Sequence, residues 1–197
     1  MSMRDLAVKV ICKTTTIKQN RVVFDSYYGR GYSDSPKAIC EVLRASGEDL
    51  DLVWLCKDEE AEKTLPEGVR AVPNHGMKKI KALASAKVWV DNSRKYENIK
   101  KKDQVYMQTW HGFALKRIEK DAEASLPEGY ARYAMRDAEQ TDLMVSDSRF
   151  MTEVFRKSFW YDGPVEEFGA PLNDSLIRGG GDTGEAVRNR LGLPAEQ

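Results

Sequence analysis

The sequence has 197 residues, with 31 Lys+Arg against 31 Asp+Glu, 41% hydrophobic and 31% charged residues. That mixture supports a core of ordinary size without disulfides, and the zero formal net charge lacks the basic surplus of a dedicated nucleic-acid binder. No run approaches the roughly 18 consecutive apolar residues needed to span a bilayer, and the N-terminus shows no secretory leader. The expected location is therefore the cytoplasm, with one domain as the default and two small ones possible. Cys12, Cys40 and Cys56 are an odd number with no close pair, which points to small buried hydrophobes and to neither a disulfide framework nor a metal site.

In chain order, the first 20 residues favour neither helix nor strand, so residues 1–20 stand as a segment of open structure. Val22-Val23-Phe24 is the first clear strand. Ser35-Pro36 then opens a helix, with the hydroxyl as N-cap and proline at the first helical position. Its apolar stripe is Ala38, Ile39, Val42 and Leu43, and Gly47 ends it. Strands follow at 52–55 and 69–72, a basic helix at 77–84, and strands at 88–90 and 105–107. A helix at 129–138 precedes a strand at 143–145, a helix around Phe150, Val154 and Phe155, and a last strand at 165–168. This alternation predicts an α/β fold, a Rossmann-like parallel sheet flanked by helices, over residues 21–178. Gly179-Gly180-Gly181 reads as a flexible joint, followed at 183–191 by a short helix capped by Thr183 and closed by Gly192.

The polar and glycine-rich segments follow the carboxyl ends of these strands. They are 25–34 after the first, Asp91-Asn92-Ser93-Arg94, Gln108-Thr109-Trp110-His111-Gly112, Ser146-Asp147-Ser148-Arg149 and 169–174. In a parallel sheet such loops share one edge, where α/β proteins bind ligands, so five loops are expected to converge on one cleft. Gly29-Arg30-Gly31 reads either as a tight turn or as a place where backbone approaches a substrate. In the second reading the helix start beside it directs free N–H groups at an anion. His111 sits at a strand end beside a glycine, and an imidazole is the side-chain type suited to acid–base work at neutral pH; a structural histidine is the alternative. His75 lies in a predicted turn and reads as structural or solvated. Ser93-Arg94 and Ser148-Arg149 each read as a phosphate fork or as an ordinary helix start. Lysine and arginine are also dense at 78–87, 94–102 and 116–120, as a solvated face or as an attractor for phosphate or acidic lipid head groups.

Four segments then carry a resemblance: Ser-Tyr-Tyr-Gly-Arg-Gly-Tyr-Ser-Asp-Ser-Pro-Lys-Ala-Ile (26–39), Asp-Asn-Ser-Arg (91–94), Gln-Thr-Trp-His-Gly-Phe-Ala-Leu-Lys (108–116) and Gly-Ala-Pro-Leu-Asn-Asp (169–174). In this order they resemble the CDP-glycerol glycerophosphotransferase family of teichoic acid and capsule polymerases. The resemblance implies the N-terminal, acceptor-side half of a GT-B fold, with 179–197 as linker and start of a second domain. That second domain would hold most CDP-glycerol contacts, and this half alone would be inactive. It further implies transfer of glycerol phosphate from CDP-glycerol to a lipid-linked glycan or polyol phosphate acceptor, with release of CMP and no cofactor. His111 falls on the family's essential histidine. Gly29, Arg30, Gly31, Ser33, Asp34, Ser93, Arg94, Trp110, Gly112, Lys116, Ser148, Asn173 and Asp174 are the candidate acceptor or phosphate contacts. The chain departs from many relatives at Phe113, Ala114, Ala170 and Leu172, which leaves ribitol phosphate and sugar phosphate transfer open. Peripheral attachment to the inner membrane face is expected by the same resemblance. A sugar-nucleotide glycosyltransferase and a non-catalytic docking module are the competing readings.

Overall fold

The computed structural model describes residues 3–178 and 180–194. Seven strands form one all-parallel sheet: β1 (Lys18–Asp25), β2 (Asp51–Cys56), β3 (Val69–Pro73), β4 (Ala86–Asp91), β5 (Val105–Gln108), β6 (Leu143–Ser146) and β7 (Val165–Glu167), in the order β3-β2-β1-β4-β5-β6-β7. The helices are α1 (Met3–Thr14), α2 (Asp34–Ala45), α3 (Glu59–Glu62), α4 (Gly76–Ser85), α5 (Tyr130–Gln140), α6 (Arg149–Ser158), α7 (Asp174–Arg178) and α8 (Gly180–Leu191). Short 3-10 turns lie at Glu119–Ser125 and Pro171–Asn173.

The strand order follows from handedness. Parallel crossovers are right-handed, so connections running from β1 towards β3 and the one returning from β3 to β4 cover opposite faces of the sheet. Alternate strand residues accordingly enter two cores. Val22, Phe24, Leu52 and Trp54 pack with Cys40 of α2 on one face. Val23, Val53, Leu55 and Trp89 pack with Leu83 of α4 on the other. Burial on both faces explains why the strands read as continuous apolar runs. A third cluster, with Met144, Met151, Phe155 and Phe159, anchors α6.

The first 20 residues resolve into α1, which packs against α4, and the start of β1 at Lys18, so the sheet begins before residue 21. The start of α2 also differs from expectation. Ser35 is buried and makes no cap, because Asp34 takes a left-handed φ of 62° and its Oδ1 accepts the Ser35 N–H at 2.6 Å. Gly47 follows the helix with φ 77°, as its predicted stop requires. Gly180 and Gly181 lie inside α8 rather than in a joint, and Thr183 stands within that helix instead of before it. Gly179 lies outside the described residues.

Candidate functional site

Strand register places Asp25, Asp91 and Gln108 side by side at the carboxyl ends of β1, β4 and β5. The chain's crossovers diverge between β1 and β4, which makes this edge the topological switch point. Beyond it, His111 is exposed, with its ring 4.2 Å from that of Trp110 and edge-on to Tyr27 at 5.6 Å. Its Nδ1 bonds the carbonyl oxygen of Asn92. A carbonyl can only accept, so Nδ1 carries the proton and Nε2 is the nitrogen with an available lone pair.

Asn92 is the brace of this corner and is fully buried. Its Oδ1 accepts the Tyr27 N–H at 2.9 Å, its Nδ2 donates to Ser26 Oγ at 3.3 Å, and its carbonyl fixes His111. Tyr27 in turn donates its hydroxyl to Asp34 Oδ2 at 2.5 Å. Burial, and then Asp34, push the Tyr27 phenol up to about 12, so it remains a proton donor at neutral pH. Tyr27, Tyr28 and Trp110 hold positive φ values of 48°, 60° and 56°. Each costs about 1–3 kcal/mol for a bulky residue, strain of the kind that gathers at working sites.

Two openings flank the imidazole. The larger, about 690 Å³, is lined by Arg30, Lys116 and Arg117 together with Tyr27, Tyr28 and Tyr130. The smaller, about 120 Å³, is walled by Asp34, Gly112, Asp147 and Asn173. Trp110 and His111 line both. The site thus joins a proton acceptor to a basic recess, an arrangement suited to holding a phosphate beside a hydroxyl that must lose its proton.

The structure gathers His111, Arg30, Trp110, Gly112, Lys116, Asp34 and Asn173 around these openings, and it assigns other work to several sequence candidates. Arg94, expected at phosphate, turns its donors inward although it touches the larger cleft's wall. Nη2 pairs with Glu119 at 2.9 Å and Nη1 with Asp137 at 3.1 Å, all three side chains being buried. Burial opposes its charge, but Glu119 and Asp137 outweigh that and hold its pKa above the ordinary value. Ser93 also lines the larger opening, but it is buried, with its hydroxyl on Asn92 Oδ1. Ser148 caps α6 by accepting the Met151 N–H, which uses its hydroxyl structurally. Ser33 bonds Ser26 through their hydroxyls, and Gly31 and Asp174 line neither opening. The start of α2 is no anion cradle: the Ser35 N–H is taken by Asp34, Pro36 has none, and the Lys37 N–H bonds the Ser33 carbonyl.

Gly29 is likewise explained by packing rather than by substrate. It has φ 82°, and a Cβ there would lie 2.7 Å from Lys57 N and 2.8 Å from Asn74 Nδ2. Gly29→Ala is expected to cost about 1–3 kcal/mol, which a thermal melt would show as a drop of roughly 2–4 °C per kcal/mol. An unchanged melting temperature would contradict this account.

Beneath the site, Lys95 Nζ sits 2.5 Å from both Asp25 Oδ2 and Asp91 Oδ2, with all three residues buried. One cation cannot neutralise two carboxylates. Burial foremost, together with the neighbouring Asp25, therefore pushes Asp91 up to about 8 against the pull of Lys95. Between its ordinary value of 3.8 and about 8, the folded protein holds a proton that the unfolded chain has lost. Stability from this group is thus full at low pH and is lost as pH rises through about 8. Asp91→Asn is expected to flatten that decline, as read by urea midpoints from acid to alkaline pH. A slope identical to wild type would sink the assignment.

Among the described residues no cluster of three metal-ligating side chains occurs, and no helix is long and apolar enough to cross a membrane. A parallel sheet of this order, carrying a histidine and three cations over its switch point, defines a Rossmann-like α/β domain. The comparison with known sequences makes this particular: residues 6–197 match the CDP-glycerol:poly(glycerophosphate) glycerophosphotransferase family, and the chain belongs to it. It is 33% identical over 195 residues to the teichoic acid poly(glycerol phosphate) polymerase of Staphylococcus epidermidis, covering 94% of this chain and 27% of that protein. The teichoic acid glycerol-phosphate transferase of Staphylococcus aureus is 29% identical over 188 residues, covering 91% and 48%. Among solved structures, the wall teichoic acid polymerase TagF superposes with a TM-score of 0.86 at 30% identity, over 99% of this chain and 50% of that one. A histidine-to-asparagine variant of TagF soaked with CDPG gives 0.85 at 29% identity, over 98% and 51%. The chain therefore spans from about a quarter to about half the length of these relatives.

Asn92, Tyr27 and Arg117 stood inside segments that the sequence singled out, 91–94, 26–39 and 116–120, but were not among the candidate contacts.

Proposed function

We propose that this chain forms the acceptor side of a polyol-phosphate transferase that uses CDP-glycerol as donor. An acceptor hydroxyl attacks the glycerol-bearing phosphorus. The new P–O bond forms as the bond to CMP breaks, and the hydroxyl proton passes to His111 Nε2. Arg30, Lys116 and Arg117 hold the phosphate charge, and the reading invokes no metal or cofactor. The observation that carries it is the orientation of His111, whose Nδ1 is fixed on Asn92 so that Nε2 is the basic nitrogen beside those cations.

The acceptor in this reading is a polyol phosphate or lipid-linked glycan at the inner membrane face. The membrane contact is assigned to the segment after His111, where exposed Phe113 and Leu115 stand beside Lys116, Arg117 and Lys120. Exposed apolar side chains next to cations favour an anionic bilayer surface. Several cations of the earlier basic runs are already engaged within the fold. Lys79 is buried on Glu97, Lys95 on two aspartates, and Lys101 bonds the carbonyls of Thr15 and Ala84.

The test is CMP release by the full-length gene product given CDP-glycerol, CDP-ribitol and UDP-sugars side by side. Turnover of UDP-sugars alone would replace this reading with a glycosyltransferase. No turnover of any donor, together with binding to anionic vesicles, would favour the docking module.

A further inference from the structure

A second basic recess lies away from the His111 openings and shares no lining residue with them. It is an open groove of about 630 Å³ running between the α1–β1 turn, β3 and α4. Five cations line it: Lys18, Arg21, Arg70, Lys78 and Lys81. Asp51 is the carboxylate that meets them, pairing with Arg21 at 2.6 Å and Arg70 at 2.9 Å. Lys18, Lys78 and Lys81 are exposed and meet no carboxylate among the described residues. In a chain of zero net charge this is a local concentration of positive potential.

Three features narrow the ligand. Lys18 opens β1 at the sheet's amino edge while Lys78 stands in the first turn of α4 at the opposite edge, so the cations follow a line along the domain rather than a compact cradle. The Arg21 side chain is only 13% exposed and bonds Ser85 Oγ in the floor, where a flat bilayer cannot reach it but a thin chain can. Among the described residues no aromatic side chain lines the groove, so none there stacks on a nucleobase.

We infer that this groove binds a flexible, base-free phosphodiester chain, with successive phosphates on Lys18, Lys81 and Lys78. It rests on the proposed transferase reading for one point only, that such a chain is the polymer being extended. The groove reaches from β1 to β3, two to four strand spacings from β5, or roughly 10–19 Å across the sheet. It would hold polymer already made while a chain end occupies the His111 cleft, and so favour repeated addition to one acceptor.

The experiment measures binding of a poly(glycerol phosphate) oligomer by titration calorimetry at low and high salt, without turnover, so that an inactive protein can still test it. Lys18→Ala/Lys78→Ala/Lys81→Ala is expected to weaken oligomer affinity about tenfold or more and to reduce its salt dependence. The three lysines are exposed, and an unchanged melting temperature confirms folding. Lys116→Ala/Arg117→Ala should leave the greater part of the binding intact. Four results would each overturn the inference: oligomer affinity unaffected by the triple substitution; equal affinity per phosphate for inorganic phosphate; equal affinity for an oligothymidylate; or phosphatidylglycerol vesicles bound in preference to the oligomer and lost in the triple variant. Intact oligomer binding with no turnover of CDP-glycerol by the full-length gene product would overturn the transferase reading and leave the groove assignment standing.

Discussion

Replacing His111 with alanine is expected to lower turnover of the full-length gene product by about 10²–10⁴-fold, the range that a positioned acid–base group contributes. Melting should fall by only about 1–6 °C, because the side chain is exposed and forfeits one hydrogen bond to Asn92, about 0.5–1.5 kcal/mol. The loss should fall on kcat rather than KM, since the proton transfer is made only as the acceptor oxygen bonds phosphorus. Added imidazole should restore part of the rate if a small base can reach the vacated space, which opens onto both recesses. Asn92→Ala should give a milder version of the same defect, because it frees both the Tyr27 backbone and the corner that carries the Asn92 carbonyl. Full activity in His111→Ala would remove the proposed base.

The strands were legible because burial on both faces demands unbroken apolar runs, as Leu52-Val53-Trp54-Leu55 and Val88-Trp89-Val90 show. The convergence of loops on His111 was legible for a related reason: once the strands are parallel, their carboxyl ends share an edge. What escaped was whatever depends on distant partners. Ser93-Arg94 at a strand end looks like a phosphate fork, but Arg94 finds Glu119 and Asp137, 25 and 43 residues further on. Glu119 lies in a stretch with no apolar period, so nothing marked it as buried. The helix α1 escaped because Met3, Leu6 and Val10 remain exposed and draw no amphipathic stripe towards a core. The start of α2 was misplaced by one residue's backbone: Asp34 adopts a left-handed conformation that propensity assigns to glycine or asparagine first.

Arg94→Met is expected to have the largest effect on stability, about 3–5 kcal/mol, because it leaves two carboxylates buried without their shared cation. For a domain of this size that corresponds to a melting temperature lower by roughly 10 °C. Glu119 and Asp137 keep other donors, the Tyr130 hydroxyl at 2.6 Å on Glu119 and the Tyr106 hydroxyl and Lys95 N–H on Asp137. Neutral donors do not cancel charge, so Asp137, already raised by burial against the pull of Arg94, should rise further in the variant. Its folded pKa then exceeds the unfolded one by more than in wild type, so the variant gains relative stability at low pH and loses it as pH rises through the raised value. Its deficit against wild type should therefore be smaller at acid pH than at pH 8. Arg94→Met/Glu119→Gln should recover part of the loss by removing one of the uncompensated charges. The guanidinium also lies 5.8 Å from the Trp110 ring and 5.3 Å from the Phe159 ring. Its removal should loosen the loop that presents His111 and lower kcat in step with stability. The opposite pattern, unchanged melting with a KM raised for the phosphate-bearing substrate, would return Arg94 to the ligand-binding role suggested by its motif and remove it from the scaffold.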